Sequence, residues 1–265
     1  MTSLDGLTHV RLVGDVLRIA IATADNGTAL DSDAVNQGTT ALRALAAGEI
    51  AAGAILLVGD GANFCAGGNV RAFAAADDRP AYILGIANEL HDLVRLLAAA
   101  TVPVVAAVHG WAAGAGMSLV CAADIALGGA STKLRPAYPG IGLTPDGGMS
   151  WNLPRIVGSR RAREILLTDA VLDADEAVRL GVLSRVVADD EVQEQAQQLA
   201  QRLATGPTAS YAGIKELLAR SEESTLSDQL DAEAAAISAA SGGATGREGV
   251  DAFVAKRAPD FTSLR

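Results

Sequence analysis

Apolar residues in the first half of the chain fall into short runs of two kinds. Leu17, Ile19 and Ile21 alternate with Val16, Arg18 and Ala20, a period of two that predicts a strand with one face turned inward. Ile55-Leu56-Leu57-Val58 and Val104 to Val108 are unbroken, as expected of buried strands. The first is stopped by Gly59-Asp60-Gly61 and the second is entered through Pro103. Ile125-Ala126-Leu127 predicts one more. Between these runs the spacing becomes helical, with Leu42 and Leu45 inside 35–48, and Ile86, Leu90, Leu93, Val94 and Leu97 inside 81–99. The second half is helical throughout. Asp173 and Glu176 have capping-box spacing before Ala177 to Leu180, and Gly181 is the stop signal. Residues 190–204 and 208–220 follow, then a helix with Leu226, Leu230, Ala234 and Ile237 on one face. Thr245 with Glu248 makes a capping box for a last helix, whose apolar side is Val250, Phe253 and Val254.

The order strand, strand, helix repeats with Gly-rich corners between. This predicts a mixed α/β fold that is neither doubly wound nor all-β. The reading divides the chain into a core, 1–204, and a helical region, 205–265. One-sided helices in the latter must fold back on the core or meet another subunit. A net charge of −10 and 3% aromatic residues turn the reading away from a nucleic-acid groove, a polybasic membrane surface and base stacking. The longest weakly charged stretch, Ala112 to Ala130, carries Asp124 and several glycines, so no membrane span is expected. Residues 1–20 include Asp5, Arg11, Asp15 and Arg18 and do not resemble a leader. Cys65 and Cys121 show no metal spacing. A reduced, cytoplasmic chain without a metal is the expectation.

Three Gly-rich corners could carry chemistry: Gly59 to Asn69, Gly110 to Ser118, and Gly140 to Gly148. Small residues let backbone amides approach a ligand closely. The second corner runs into the helical pattern Met117 to Ala123, whose N-terminus favours negative charge. Amides from two corners would make an oxyanion hole; tight turns are the plainer alternative. Ser118 does not stand in G-x-S-x-G, and no phosphate-binding G-x-x-x-x-G-K-[ST] is present. His9, His91 and His109 have no ligand spacing, and His109, ending an apolar strand, reads as a packed polar residue.

Taken together, the corners resemble the crotonase superfamily of enoyl-CoA hydratases and isomerases. Phe64-Cys65-Ala66-Gly67-Gly68-Asn69-Val70 resembles its first oxyanion loop. Val102 to Gly110 followed by Gly114-Ala115-Gly116 resembles the second. Ala123-Asp124-Ile125, Pro154 to Gly158, Ala177 to Val187 and the ending from Thr245 to Phe261 also fit. The resemblance implies a spiral of ββα units with a C-terminal helical region that builds homotrimers or hexamers. It implies an acyl-CoA thioester as ligand, with coenzyme A entering as part of the substrate and no separate cofactor. The thioester oxygen would be held by the amides of Gly68 and Ala115, with Gly114 and Tyr138 also at the substrate. Ala24, Leu30, Ala66, Gly67, Asn69 and Val70 would lie along the coenzyme. Lys256 and Phe261, from a neighbouring subunit, would meet its nucleotide end; a solvated Lys and a packing Phe are the plainer alternative.

Hydratases of the family use two glutamates, and the corresponding positions here read Ser118 and Ala137. A single carboxylate, Asp146, stands in the third corner. The run Ile141 to Gly148, continuing to Trp151 and Leu153-Pro154-Arg155, resembles members that shift a double bond or isomerise ring-epoxide thioesters, with an acid at this place as base. Asp146 would take a proton from one carbon and return it to another, with Pro145, Met149 and Trp151 as its apolar surroundings. The alternative is an Asp that caps the following helix. Retained hydration without the glutamates, a non-catalytic acyl-CoA binder, and a 4-chlorobenzoyl-CoA dehalogenase-like hydrolase stand as other readings. The last would use His91, but Tyr138 replaces the expected tryptophan, and His91 could simply face solvent beside Asp92.

Overall fold

The computed structural model describes residue 4 and residues 6–264. Strands β1 (Val10–Val13) and β2 (Val16–Thr23) form a hairpin, and helix α1 (Ser32–Ala46) follows, capped by Asp31 through Asp33 N and Ala34 N. Strand β3 (Ala54–Asp60) leads to α2 (Val70–Ala75) and α3 (Arg79–Ala99). Strands β4 (Val104–Val108) and β5 (Trp111–Ala113) lead to α4 (Ala115–Ala122). Strands β6 (Ile125–Gly129) and β7 (Lys133–Arg135) precede α5 (Met149–Val157) and α6 (Ser159–Thr168). Then come β8 (Leu172–Asp173), α7 (Ala174–Arg179), β9 (Arg185–Val187) and α8 (Val192–Ala204). Helices α9 (Thr208–Ser221), α10 (Leu226–Gly242) and α11 (Ala244–Val254) complete the chain.

The strands sort into two sheets. One runs β1-β2-β3-β4-β6-β9, parallel except for the opening hairpin, and the other runs β5-β7-β8. Consecutive strands β4 and β5, and then β6 and β7, therefore part company, one to each sheet, while β1, β2 and β3 all lie in the larger sheet. This is the expected ββα spiral.

Strand β2 departs from the expectation of one buried face. Leu17, Ile19 and Ile21 enter the main core with α1 and α3, but Val16 and Ala20 are also fully buried. Helix α8 covers that second face, packing Val192, Ala196, Ala200 and Ala204 over Val16, Ala20, Leu56, Val58, Val105, Ala107 and Leu127. Alanine at every fourth position of α8 brings its backbone close to the sheet, and Gly53 has Ala204 O so near that a Cβ would come within 2.3 Å.

The capping box expected at Thr245 and Glu248 does not form. Helix α11 starts at Ala244 with Gly243 as its cap, because α10 and α11 meet closely: a Cβ on Gly246 would fall 2.0 Å from Ala240 O. Glu248 instead holds the chain end through Arg257 (2.6 and 2.8 Å) and Asp260 N (2.7 Å). At the other expected box, Asp173 does cap α7 by accepting from Glu176 N, while the Glu176 carboxylate turns to Arg179.

Candidate active site

Two turns meet at the ends of β3 and β5. Phe64 N donates to His109 O (2.8 Å), Cys65 N to Trp111 O (3.1 Å) and Ala113 N to Cys65 O (2.9 Å), which aligns the 64–68 loop with β5. Gly116 is forced by this contact, since a Cβ there would lie 2.3 Å from Cys65 O. Gly67 (φ +100°) and Gly114 (φ +52°, ψ −121°) take conformations that L side chains avoid. A Cβ built on Gly114 would sit 3.5 Å from Gly67 Cα. The two backbones thus touch, and the residues that follow them, Gly68 and Ala115, line one cavity. Gly114 N is spent on Arg135 O (3.0 Å). Ala115 opens α4, where no carbonyl lies one turn back. Among the described residues neither Gly68 N nor Ala115 N has an acceptor. Two unsatisfied amides, one at a helix N-terminus, suit an anionic oxygen.

A cavity of about 660 Å³ opens on these amides. Ala66, Gly67, Gly68, Gly114 and Ala115 form one wall, with Leu30 beside them; Tyr138, Pro145 and Asp146 form another. Most of the rest is apolar, built from Val70 and Phe73 of α2, Ile83, Leu84 and Leu90 of α3, and Leu143, with Arg135 and Asp169 also in the lining. Nine residues singled out in the sequence (Leu30, Ala66, Gly67, Gly68, Val70, Gly114, Ala115, Tyr138 and Asp146) therefore share one cavity. Four others lie outside its lining. Asn69 caps α2 by accepting from Ala72 N (3.2 Å). Ala24 is exposed in the turn after β2, its carbonyl taken by Gly27 N. Lys256 is exposed with φ +54° where α11 ends, and Phe261 rests about 3.7 Å from the position of a Cβ on Gly249. The fold-back of residues 255–264 on α11 keeps both away from the cavity of their own chain.

Asp146 does not cap α5. Gly148 (φ +80°) does, without a side-chain bond. The Asp146 carboxylate instead accepts from Tyr138 Oη at Oδ1 (2.7 Å). Tyr138 Oη also lies 3.1 Å from Ser118 Oγ, and Ser118, fully buried, reaches Asp146 O (3.0 Å) and Gly114 O (3.3 Å). Burial pushes the Tyr138 phenol up, and the Asp146 charge adds to it, so the phenol stays a donor. His91 is not a solvent-facing neighbour of Asp92. Its Nε2 accepts from Gly147 N (3.1 Å), which fixes the loop from behind. Trp151 does not enclose Asp146 either: it is 54% exposed, with the Arg155 guanidinium stacked 3.3 Å from its ring centre.

A second carboxylate in the cavity wall, Asp169, is already committed. It accepts from Arg135 Nε (3.0 Å) and Nη2 (2.5 Å) and from Ala137 N (2.7 Å). Desolvation pushes its carboxyl up, but the Arg135 hydrogen bonds, the Ala137 amide and the Arg135 charge together outweigh that and hold it below the usual range. The bond to Ala137 N also holds a residue with φ +62° next to Tyr138. The Asp169–Arg135 pair, the Tyr138–Asp146 bond and the His91–Gly147 bond were not legible in the sequence. Only Tyr138 and Asp146, eight residues apart in one corner, offered a local signal.

His109 is packed as expected. Its Nε2 meets Gly61 O (2.8 Å) and its Nδ1 meets Gln193 Nε2 (3.3 Å), in a groove of about 730 Å³ also lined by Arg18 and Asp60, which pair with each other. Among the described residues no group of three His, Cys, Asp or Glu side chains could hold a metal, and no helix is long and apolar enough to cross a membrane.

The Enoyl-CoA hydratase/isomerase family matches residues 14–264. The chain is 41% identical over 210 residues to 1,2-epoxyphenylacetyl-CoA isomerase of Escherichia coli (strain K12), covering 78% of this chain and 80% of that one. It is 35% identical over 176 residues to 4-chlorobenzoyl coenzyme A dehalogenase-1 of Arthrobacter sp, covering 66% and 64%. The crystal structure of an enoyl-CoA hydratase from Polaromonas sp. JS666 superposes with a TM-score of 0.88 at 30% identity, over 95% of this chain and 98% of that one.

Proposed function

The chain belongs to the enoyl-CoA hydratase/isomerase family of crotonase enzymes, and we propose that it isomerises acyl-CoA thioesters by a proton shuttle on Asp146. The thioester oxygen accepts from Gly68 N–H and Ala115 N–H. These donors stabilise the enolate that forms when the adjacent carbon loses a proton, each contributing roughly 3–4 kcal/mol to the barrier reduction. Asp146 takes that proton and delivers it to another carbon of the same acyl group. One carboxylate serves as base and then as acid, so no water is consumed and no cofactor is needed. The apolar wall from α2 and α3 suits a hydrocarbon acyl group, aliphatic or ring-bearing.

The observation that carries this reading is the position of Asp146. Its carboxylate lines the cavity of the two free amides and, among the described residues, forms no ion pair, whereas Asp169 is bound to Arg135. Ser118 and Ala137, where the hydratases it resembles carry glutamates, offer no second acid. The likeness to an isomerase acting on an epoxide thioester supports the same reading. On this reading the chain assembles as a homotrimer or hexamer through its C-terminal helices: Leu226, Leu230, Ile237, Phe253 and Val254 of α10 and α11 are each more than half exposed in the single chain.

The test is turnover of a 3-enoyl-CoA, followed by absorbance of the conjugated 2-enoyl thioester, alongside a ring 1,2-epoxide of an arylacetyl-CoA. One of the two is converted by the wild-type protein, and Asp146→Asn lowers kcat by at least 100-fold, the scale of a general-base contribution (about 10²–10⁴). Conversion retained in Asp146→Asn removes Asp146 as base. Rapid hydration of a 2-enoyl-CoA would establish hydratase chemistry, and tight binding without turnover would leave a binding protein.

A further inference from the structure

We propose that Tyr138 and Ser118 are positioning residues: a hydroxyl relay that pins Asp146 Oδ1, leaves Oδ2 to move the proton, and ties the base loop to the oxyanion turn. This rests on the reading of Asp146 as the base. Three observations carry it. Tyr138 Oη donates to Asp146 Oδ1 at 2.7 Å, and among the described residues no donor reaches Oδ2. Ser118 Oγ, with one proton, faces three oxygens: Tyr138 Oη (3.1 Å), Asp146 O (3.0 Å) and Gly114 O (3.3 Å). Because the Tyr138 proton is committed to Asp146, any bond between the two hydroxyls has Ser118 as donor. Finally, Gly114 is the residue whose turn presents the Ala115 amide, so one buried hydroxyl touches the base loop and the oxyanion turn together.

The relay gives Ser118 a role other than a missing acid. Its single proton serves one of the three oxygens at a time, and the hydroxyl packs between Tyr138, the base loop and the oxyanion turn, which keeps Tyr138 in place on Asp146. A carboxylate free to rotate would exchange Oδ1 and Oδ2 between the two proton transfers, and orientation contributes strongly to such steps.

The test compares Tyr138→Phe and Ser118→Ala in the full-length protein. Tyr138→Phe removes a donor to a charged acceptor, an effect of about 10- to 100-fold in kcat, with KM changed less than about twofold. The split between kcat and KM is the readout that a merely structural role would not give, since a general loss of structure moves both. Ser118→Ala, the removal of one atom, gives a smaller fall in kcat with KM again nearly unchanged, and serves if the phenylalanine variant does not fold. Either variant, folded and with wild-type kcat, overturns the relay. If Asp146→Asn is inactive while both hydroxyl variants are unaffected, the relay falls and the base stands. If Asp146→Asn is active, the base reading itself fails.

Discussion

Gly114→Ala isolates the conformational demand of the oxyanion turn. The added methyl has room: its nearest neighbours are Gly67 Cα at 3.5 Å and Pro136 O at 3.8 Å, ordinary contacts. What it cannot do is rest at φ +52°, ψ −121°, a region left to glycine. Holding alanine there costs about 1–3 kcal/mol, a fall in Tm of roughly 2–12 °C at about 2–4 °C per kcal/mol for a chain of this size. If the turn relaxes instead, the Ala115 amide leaves its aim, and loss of one such donor is typically about 10²–10³ in kcat. Gly85→Ala is the control. Gly85 is exposed inside α3 with nothing within 4 Å of a Cβ, so alanine there stabilises by about 0.5–1 kcal/mol. Thermal unfolding and the isomerase assay on both variants decide the matter. A Gly114→Ala protein that melts with the wild type and keeps its kcat refutes the reasoning, as does a Gly85→Ala protein that loses as much as Gly114→Ala.

Asp169→Asn lowers stability at neutral pH by breaking the pair with Arg135. Because the folded-state carboxyl is held below its unfolded value of about 3.9, the contribution is complete above that value and is lost as pH falls through the folded one. Urea unfolding at pH 7, 5 and 3 therefore gives a gap between wild type and variant that is constant from 7 to 5 and narrows at 3; a gap that widens on acidification contradicts the assignment. Ser118→Glu does not install hydration. The site is fully buried and faces the carbonyls of Gly114 and Asp146, so overpacking alone costs about 1–3 kcal/mol, and an unpaired buried charge adds to it. Tm should drop and 2-enoyl-CoA hydration stay absent, and a stable variant that hydrates would overturn this.

Features encoded by neighbouring residues were legible in the sequence. The unbroken runs 55–58 and 104–108 and the helical spacing in 81–99 fell inside β3, β4 and α3, because burial of a continuous run needs no knowledge of its partner. The glycine corners were legible for the same reason: positive φ and close backbone approach act within a few residues. Strands β5, β7 and β8, two or three residues each, are too short to show a period. Burial of both faces of β2 depends on α8, which lies some 180 residues away in the chain. In the site, Asp146 could be found from its corner, whereas its partners could not: Ser118 and His91 reach the same loop from α4 and α3 only through the register of those helices.

On the proposed reading Asp146 works alone, since Asp169 is tied to Arg135, and the same register keeps a third acid off α4. Gly147 packs so closely on α4 that a Cβ there would fall 2.8 Å from Ser118 Cβ and 3.1 Å from Leu90 Cδ2. The loop that carries Asp146 thus fills the volume a longer side chain at 118 would need, and a small residue at 118 lets the loop in. Bringing Asp146 to the cavity and keeping a glutamate on α4 are alternatives imposed by the same few ångströms. In the proposed shuttle, a proton that Asp146 removes at one carbon is returned by the group that took it. Net addition of water asks for a second acid–base group to activate the nucleophile, and the packing of Gly147 against Ser118 leaves no room for one at 118.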